Sequence, residues 1–172
     1  MAVLVGGKVA AARTIRIGGE HLDQAIAEYM MSMRNLQIDT TMAEIIKIHI
    51  GEAYPGKENK SIKVEGINIG TGRTDLIDVT SHEISKVLSK PLTAIIGTIK
   101  DFLATLSPQH YVDVLDRGIV LAGGGALLLN LDYLFEHELS IPFTKARDPL
   151  ACVVRGSGDA LDYLREIRQL EE

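Results

Sequence analysis

The residues best placed to do chemistry are consecutive glycines between an apolar run and a leucine-rich run. Residues 119–121 (Ile-Val-Leu) are typical of a parallel strand buried on both faces, and Gly123, Gly124 and Gly125 follow. Such glycines leave backbone N–H groups uncovered, so a ligand can lie against the main chain. Leucines beyond the turn recur at helical spacing, and a helix N-terminus favours negative charge. The pattern indicates a nucleotide site, and a strand-to-helix connection without a ligand is the open alternative.

A second group of chemical interest is the carboxylate of Glu44 with the ammonium of Lys47. At this spacing they lie on neighbouring turns of one helix face. Together they could hydrogen-bond ribose hydroxyls and cover an adenine edge. The alternative is a capping box of Thr41 and Glu44, which leaves Lys47 as a solvated partner. From the residues alone, the capping box is the favoured interpretation.

The other titratable residues lack the spacing of a catalytic or metal site. The five histidines form no paired metal-ligand pattern, and Cys152 has no signature of a nucleophile. Isolated acidic residues are predicted to be ordinary charges on exposed helix faces: Asp23, Glu28, Asp113, Asp116 and Asp132. We therefore assign no catalytic residue and no metal ligand.

Composition limits the class of protein. A length of 172 residues suits one domain, or one domain with a smaller subdomain, and the net charge of −5 argues against nucleic-acid binding. The single cysteine, Cys152, excludes an internal disulfide and suits a reducing compartment. The sequence shows no apolar run of membrane-spanning length and no signal peptide, so a cytoplasmic location is expected.

Hydrophobic periodicity predicts the element order ββαα, ββαα, βαβα. The Gly6-Gly7 pair predicts a hairpin of residues 2–5 and 9–17, and Gly18-Gly19 opens the first helix. A second helix is expected from about Thr41 to about Gly51. Residues 62–69 and 76–79 are predicted to form a second pair of strands. This order indicates a mixed α/β architecture.

The second half of the chain has clear start and stop signals. Residues 80–83 (Thr-Ser-His-Glu) have capping-box spacing, and Pro91 is expected to break or restart the helix that they begin. A short helix through Val112 precedes the glycine strand. A strand at 141–144 and a terminal helix at 150–170 are expected to follow. The polar, turn-rich residues 53–60 are the best candidate for a domain boundary.

Taken together, these segments resemble the MreB family of bacterial actin-like cell-shape proteins. The similar stretches are residues 15–23, 43–55, 90–92, 116–128 and 148–156. The last two, DRGIVLAGGGALL and DPLACVVRG, are the most specific. Lys90 departs from the pattern, because the family more often has an acidic residue before this proline. The resemblance spans nearly the whole chain.

The resemblance implies an α/β fold, the C-terminal half of an actin-like (ribonuclease H-like) ATPase, with a mixed sheet, flanking helices and a small α+β subdomain. The core would comprise residues 1–52 and 108–172, with a smaller outer subdomain at 53–107. The family binds ATP, with magnesium in its full-length members. The residues expected at the cofactor are Glu44, Ile45, Ile46, Lys47, Gly123, Gly124, Gly125 and Ala126, with Gly18 and Gly19 near the phosphates.

The resemblance is to one half of the family's chain only. The family's N-terminal half and its phosphate loops have no counterpart here, so we do not expect this chain alone to hydrolyse ATP. Its membrane contacts also belong to the other half. A central strand between the hairpin and the glycine strand is expected to be missing, which would expose two strand edges. We therefore predict a fragment of a longer protein, or a partner strand, supplied for example in a strand-swapped dimer.

The implied function is an ATP-binding, filament-forming cytoskeletal protein in bacterial cell-shape determination. Its partners would be further copies of itself, in cytoplasmic filaments at the inner face of the membrane, with no nucleic acid. Two alternatives stay open. One is a non-catalytic module that caps filaments or assists their assembly. The other is a different actin-like filament ATPase, for organelle or plasmid positioning, or a sugar-kinase relative.

Overall fold

The computed structural model describes the backbone of residues 1–170 and the side chains of residues 1–161. The strands are β1 (Ala2–Val5), β2 (Lys8–Ala12), β3 (Leu36–Gln37), β4 (Ser61–Asn68), β5 (Thr74–Thr80), β6 (Ile119–Leu121) and β7 (Phe143–Lys145). The helices are α1 (Gly19–Arg34), α2 (Thr40–Ile50), α3 (Ser81–Ala104), α4 (Pro108–Arg117), α5 (Leu131–Leu139) and α6 (Cys152–Leu170), with a 3₁₀ turn at Gly124–Leu127. The mixed α/β class is confirmed. The short strand β3 was not predicted.

The strands form three small sheets. The antiparallel pair β1–β2 is one, β4 lies between antiparallel partners β3 and β5 in the second, and β6–β7 are parallel in the third. Among residues 1–170, no strand pairing joins these sheets. The strands β1 and β6 therefore each have one edge whose backbone groups are free of a neighbouring strand.

The N-terminal hairpin is present, with Gly6 at φ 55° and Gly7 at φ 75°. Positive φ at both central residues is the geometry that a two-residue hairpin turn needs. The second strand ends at Ala12, earlier than predicted, because Ala12 pairs with Ala2 and the opposing strand ends there. The side chains of Leu4 and Val9 are 67% and 64% exposed, so the hairpin leaves apolar surface uncovered.

The core lies where α1, α2 and α3 pack together and against the sheet of β4 and β5. Its most buried members come from these elements: Ile26, Met30, Ile46, Val64, Val79, Ile84 and Leu88. The spacing within each helix places these residues on one face. None of the helices in the described part of the chain is long and apolar enough to cross a membrane.

Helix α3 corrects one prediction. It begins as expected with a capping box between Thr80 and Glu83, but it continues through Pro91 to Ala104. The expected break at Pro91 is wrong. Proline in a helix costs about 3 kcal/mol. The buried side chains of Leu88 and Leu92 on either side of it are held in the core, and this packing keeps the helix intact.

A polar cluster ties α1 to the start of α3. The carboxylate of Glu83 accepts hydrogen bonds from the N–H of Thr80 at 2.8 Å, from the hydroxyl of Tyr29 at 3.1 Å, and from the guanidinium of Arg34. Burial acts to raise the pKa of Glu83. The hydrogen bonds from Thr80 and Tyr29 and the charge of Arg34 outweigh burial, and they lower this pKa below its usual value.

Gly118, at the end of α4, occupies a position where a residue with a side chain would not fit. Its φ is +76°, and a Cβ atom there would lie 2.6 Å from the carbonyl oxygen of Pro142. The N–H of Ile119 donates to that same oxygen at 2.8 Å, which starts the parallel pairing of β6 with β7. Glycine at this position thus lets β6 and β7 come close enough to pair.

We expect Gly118→Ala to lower the free energy of unfolding by about 2 kcal/mol or more, since it adds both a steric clash and left-handed strain. The matched control is Gly97→Ala in the middle of α3, where a Cβ atom meets nothing within 4 Å. That substitution should stabilise by about 0.5–1 kcal/mol. Urea unfolding measures both. Equal effects of the two substitutions would contradict the assigned role of Gly118.

Candidate functional site

A cavity of about 670 Å³ lies between the start of α1, the second half of α2 and the glycine loop that precedes α5. Its volume is in the range of small-molecule sites, about 300–1,000 Å³. Five of the residues predicted at the cofactor line it: Gly19, Glu44, Lys47, Gly124 and Gly125. They come from three separate segments, so the tertiary structure brings together what the sequence keeps apart.

The other predicted residues do not line this cavity. Ile46 and Ala126 are buried in the interior, at 0% and 3% exposure, and Ile45 is exposed to solvent. Gly18 is the N-cap residue of α1. Gly123 begins the glycine loop, and its N–H donates to the carbonyl of Pro149 at 2.7 Å. These residues therefore lie next to the lining residues in sequence without lining the cavity themselves.

The glycine loop differs from the expected start of an amphipathic helix. A 3₁₀ turn spans Gly124–Leu127, and α5 begins only at Leu131, after Asn130 at φ 60°. The expectation of an immediate helix is wrong, because glycine has low helix propensity and the N–H of Leu128 closes a short turn on Gly125. A Cβ atom at Gly125 would meet nothing within 4 Å, so this backbone faces open space.

The start of α2 also differs from the favoured interpretation. Asp39 caps the helix, and its Oδ1 accepts from the N–H of Met42 at 2.7 Å. The capping box of Thr41 and Glu44 is therefore wrong. Aspartate at the N-cap satisfies the same free backbone N–H groups. Glu44 is exposed at the cavity wall, where its carboxylate is not engaged in a cap.

Lys47 is held by an acidic residue of α1. Its Nζ lies 2.7 Å from Oδ1 and 2.8 Å from Oδ2 of Asp23, and 3.4 Å from the carbonyl oxygen of Gly19. Asp23 is only 7% exposed, so the prediction of an exposed charge is wrong. The pairing of α1 with α2 buries it, which sequence spacing within one helix does not show. Oδ1 is a buried oxygen without a well-aligned hydrogen-bond donor among the described residues.

Backbone contacts join the two walls of the cavity. Glu52, just after α2, forms a parallel bridge with Leu129, and the N–H of Ala53 donates to the carbonyl of Leu129 at 2.7 Å. The side-chain amide of Asn130 donates to the carbonyl of Tyr54 at 2.9 Å. These bonds fix the glycine loop against the end of α2.

Several other lining residues carry no signal of a binding role in the sequence. Apolar side chains of Leu22, Ile48, Leu127, Leu128, Leu129 and Leu150 form much of the wall, and Glu52 and Lys60 add charges. Among the side chains of residues 1–161, no group of three or more His, Cys, Asp or Glu residues could hold a metal ion. The arrangement offers backbone N–H groups, the exposed carboxylate of Glu44 and the ammonium groups of Lys47 and Lys60 beside an apolar surface, which fits a ligand that is part polar and part aromatic.

Comparisons with a family model and with known proteins point to the same family. The family model described as MreB/Mbl protein matches residues 1–169. The cell shape-determining protein MreB of Escherichia coli (strain K12) is 41% identical over 164 residues, which cover 95% of this chain and 47% of that protein. The chain thus spans about half the length of the curated relatives that it matches.

Solved structures show the same relationship. The crystal structure of MreB 5 of Spiroplasma citri bound to AMPPNP matches with a TM-score of 0.95 and 27% identity, over 99% of this chain and 51% of that one. The same protein bound to ADP matches with a TM-score of 0.94 and 28% identity, over 98% of this chain and 51% of that one. The fold is therefore actin-like, as the resemblance implied.

We expect Lys47→Met to lower the free energy of unfolding by about 2–4 kcal/mol, because it leaves the carboxylate of Asp23 buried without its cation. Adding Asp23→Asn should recover part of this loss, with a coupling energy on the order of 1–3 kcal/mol. The control cycle uses the exposed pair of Lys145 and Asp132, 3.3 Å apart, with a coupling of about 0–1 kcal/mol. Urea unfolding of both sets measures the couplings, and equal values would contradict the assignment.

Proposed function

Because the chain belongs to the MreB/Mbl family, we propose that it supplies the adenine-nucleotide-binding part of a filament-forming, actin-like cell-shape protein. One observation carries the proposal: Glu44 and Lys47 of α2 meet Gly124 and Gly125 of the glycine loop at a single cavity. The nucleotides bound to the Spiroplasma protein and the cell-shape role in the names of the bacterial relatives support it.

The cavity suits the parts of ATP in a definite way. The exposed carboxylate of Glu44 can accept hydrogen bonds from ribose hydroxyls, and the uncovered backbone at Gly124 and Gly125 allows close approach. The leucine wall offers an apolar surface to the base. Gly18 and Gly19 begin α1, whose first turn carries partial positive charge that favours phosphate oxygens. Ile45 and Ile46 would act as part of the helix that presents Glu44.

Lys47 has a positioning task in this proposal. Its ammonium is bound by the carboxylate of Asp23 and lies close to the carbonyl of Gly19. It therefore joins the start of α1 to α2 across the cavity. A cation at this place also offsets the charge of Asp23, which would otherwise repel a phosphate.

We assign nucleotide binding, and not hydrolysis, to this chain. Its described residues offer no cluster of acidic groups for a metal ion, and magnesium would be bound with residues of the family's other half. We place the protein in the bacterial cytoplasm, in filaments at the inner face of the membrane. The division into a core (residues 1–52 and 108–172) and an outer subdomain (residues 53–107) stays a prediction.

Self-association forms the second part of the proposal. Among residues 1–170, the free edges of β1 and β6 offer unpaired backbone groups. Exposed Leu4 and Val120 lie on these two strands, and exposed Val9 lies on β2 of the same hairpin. Such edges pair readily with another strand. A strand from the family's other half, or from a second copy of the chain, would cover them. This surface supports assembly in addition to any filament contacts.

We expect the purified chain to bind ATP, as measured by calorimetry, and Gly125→Val to weaken this binding at least tenfold. The added side chain would enter open space at the glycine loop without meeting the protein itself. The matched control is Gly156→Val in α6, where a Cβ atom also meets nothing within 4 Å and no part of the cavity is touched. A folded chain that does not bind ATP would overturn the nucleotide assignment.

We also expect the chain to self-associate as its concentration rises, as measured by analytical ultracentrifugation. The double substitution Leu4→Lys and Val9→Lys should reduce the associated fraction, because charges on an edge hairpin oppose pairing. Met33→Lys, at an exposed residue of α1, serves as the control for added charge on an apolar surface. A monomer at all concentrations, or an equal loss in the control, would contradict this role of the hairpin.

A further inference from the structure

Glu52 is a buried carboxylate that the proposed contacts with ATP do not use. It is 2% exposed, lies two residues after the end of α2, and lines the cavity. Its Oε2 accepts a hydrogen bond from the N–H of Gly56 at 2.7 Å. Its Oε1 accepts none from the described residues, yet it is not fully enclosed by protein. Glu52 lines the cavity, so this oxygen is the acceptor that it can offer to a ligand there.

The surroundings leave the carboxylate without a cation. The described side chains that carry positive charge at the cavity are Lys47 and Lys60. Lys47 is paired with Asp23, and within the described residues no ion pair shorter than 4 Å includes Glu52. Leu128 and Leu129 add apolar surface beside it. An ionised carboxylate in such a place gains strongly from a hydrogen-bond donor, because few waters can solvate it.

Resting on the proposed nucleotide function, we infer that Glu52 selects the base, with its carboxylate accepting a hydrogen bond from the exocyclic amino group of adenine. A carboxylate only accepts, and the amino group of adenine only donates. Hypoxanthine, the base of ITP, carries a carbonyl oxygen at the same ring position. That oxygen would face the carboxylate as a second acceptor, so the two groups would repel each other.

The position of Glu52 favours the base over the other parts of the nucleotide. Phosphate groups would be repelled by the negative charge. The main-chain bridge between Glu52 and Leu129 places Glu52 in the leucine-rich part of the wall. An aromatic base is favoured there, because its apolar surface leaves water for an apolar environment. The start of α1, which favours phosphate, is a separate part of the lining.

ATP and ITP share their ribose and phosphates, so their relative affinity isolates the contact to the base. We expect the chain to bind ATP at least about tenfold more tightly than ITP, by calorimetry, since a hydrogen bond to a charged group is worth about 1.5–3 kcal/mol. Glu52→Gln should reduce this ratio to about twofold or less. Its amide can donate to the oxygen of ITP and can still accept from Gly56, which keeps the loop in place.

Glu44→Gln is the matched control, because Glu44 is the other carboxylate at the cavity and is assigned to the ribose. It should change the affinities for ATP and ITP by the same factor. Circular dichroism and thermal unfolding confirm that each variant folds. If ATP binds and Glu52→Gln leaves the ratio unchanged, the inference on Glu52 is overturned while the nucleotide assignment stands. If neither nucleotide binds to the folded chain, the proposed function itself fails.

Discussion

The short main-chain bridge between the end of α2 and the glycine loop is the contact on which the rest of the site depends. The N–H of Ala53 and the carbonyl of Leu129 form its hydrogen bond, and the amide of Asn130 reinforces it at Tyr54, 76 residues away in sequence. Backbone bonds of this kind fix two segments more firmly than side-chain packing does, because they involve few rotatable bonds. Without them the glycine loop would not be held against the end of α2 as a wall of the cavity.

The glycines of the chain serve two opposite purposes. At Gly118 and Gly51 a Cβ atom would collide with the backbone of the same chain, so glycine there is required for the fold. At Gly125 a Cβ atom would meet nothing, so the fold does not explain the absence of a side chain. Gly97 and Gly156 also have open space around them, but Gly125 lines the cavity, so the missing side chain there keeps the cavity open.

The structure also contains surface that its own residues do not cover. The three small sheets share no strand pairing in the described part of the chain, and the N-terminal hairpin projects apolar side chains into solvent. The core of α1, α2 and α3 is by contrast closely packed around Ile26 and Ile84. The relatives are about twice as long as this chain, and its unpaired strand edges are places where a further strand can pair.

The sequence by itself determined much of the local structure, although not the cap of α2 or the 3₁₀ turn after Gly123. The Gly6-Gly7 turn, the capping box at Thr80 and Glu83, and most element positions follow from steric rules and hydrogen bonds between near neighbours, which are written in short stretches of residues. The family followed in the same way from linear motifs. The same motifs predict Glu44, Lys47 and the glycines as site residues, and five of the ten predicted residues line one cavity.

Tertiary structure alone decided the features that depend on distant partners. Pro91 stays within α3 because core packing outweighs its local cost, and Asp23 is buried because α2 brings Lys47 to it. No sequence motif indicates a role for Glu52, and it is the bridge to Leu129 that brings it to the glycine loop at the cavity. The physical reason is the same in each case: burial and electrostatic environment are properties of contacts between segments, and the spacing within one segment does not contain them.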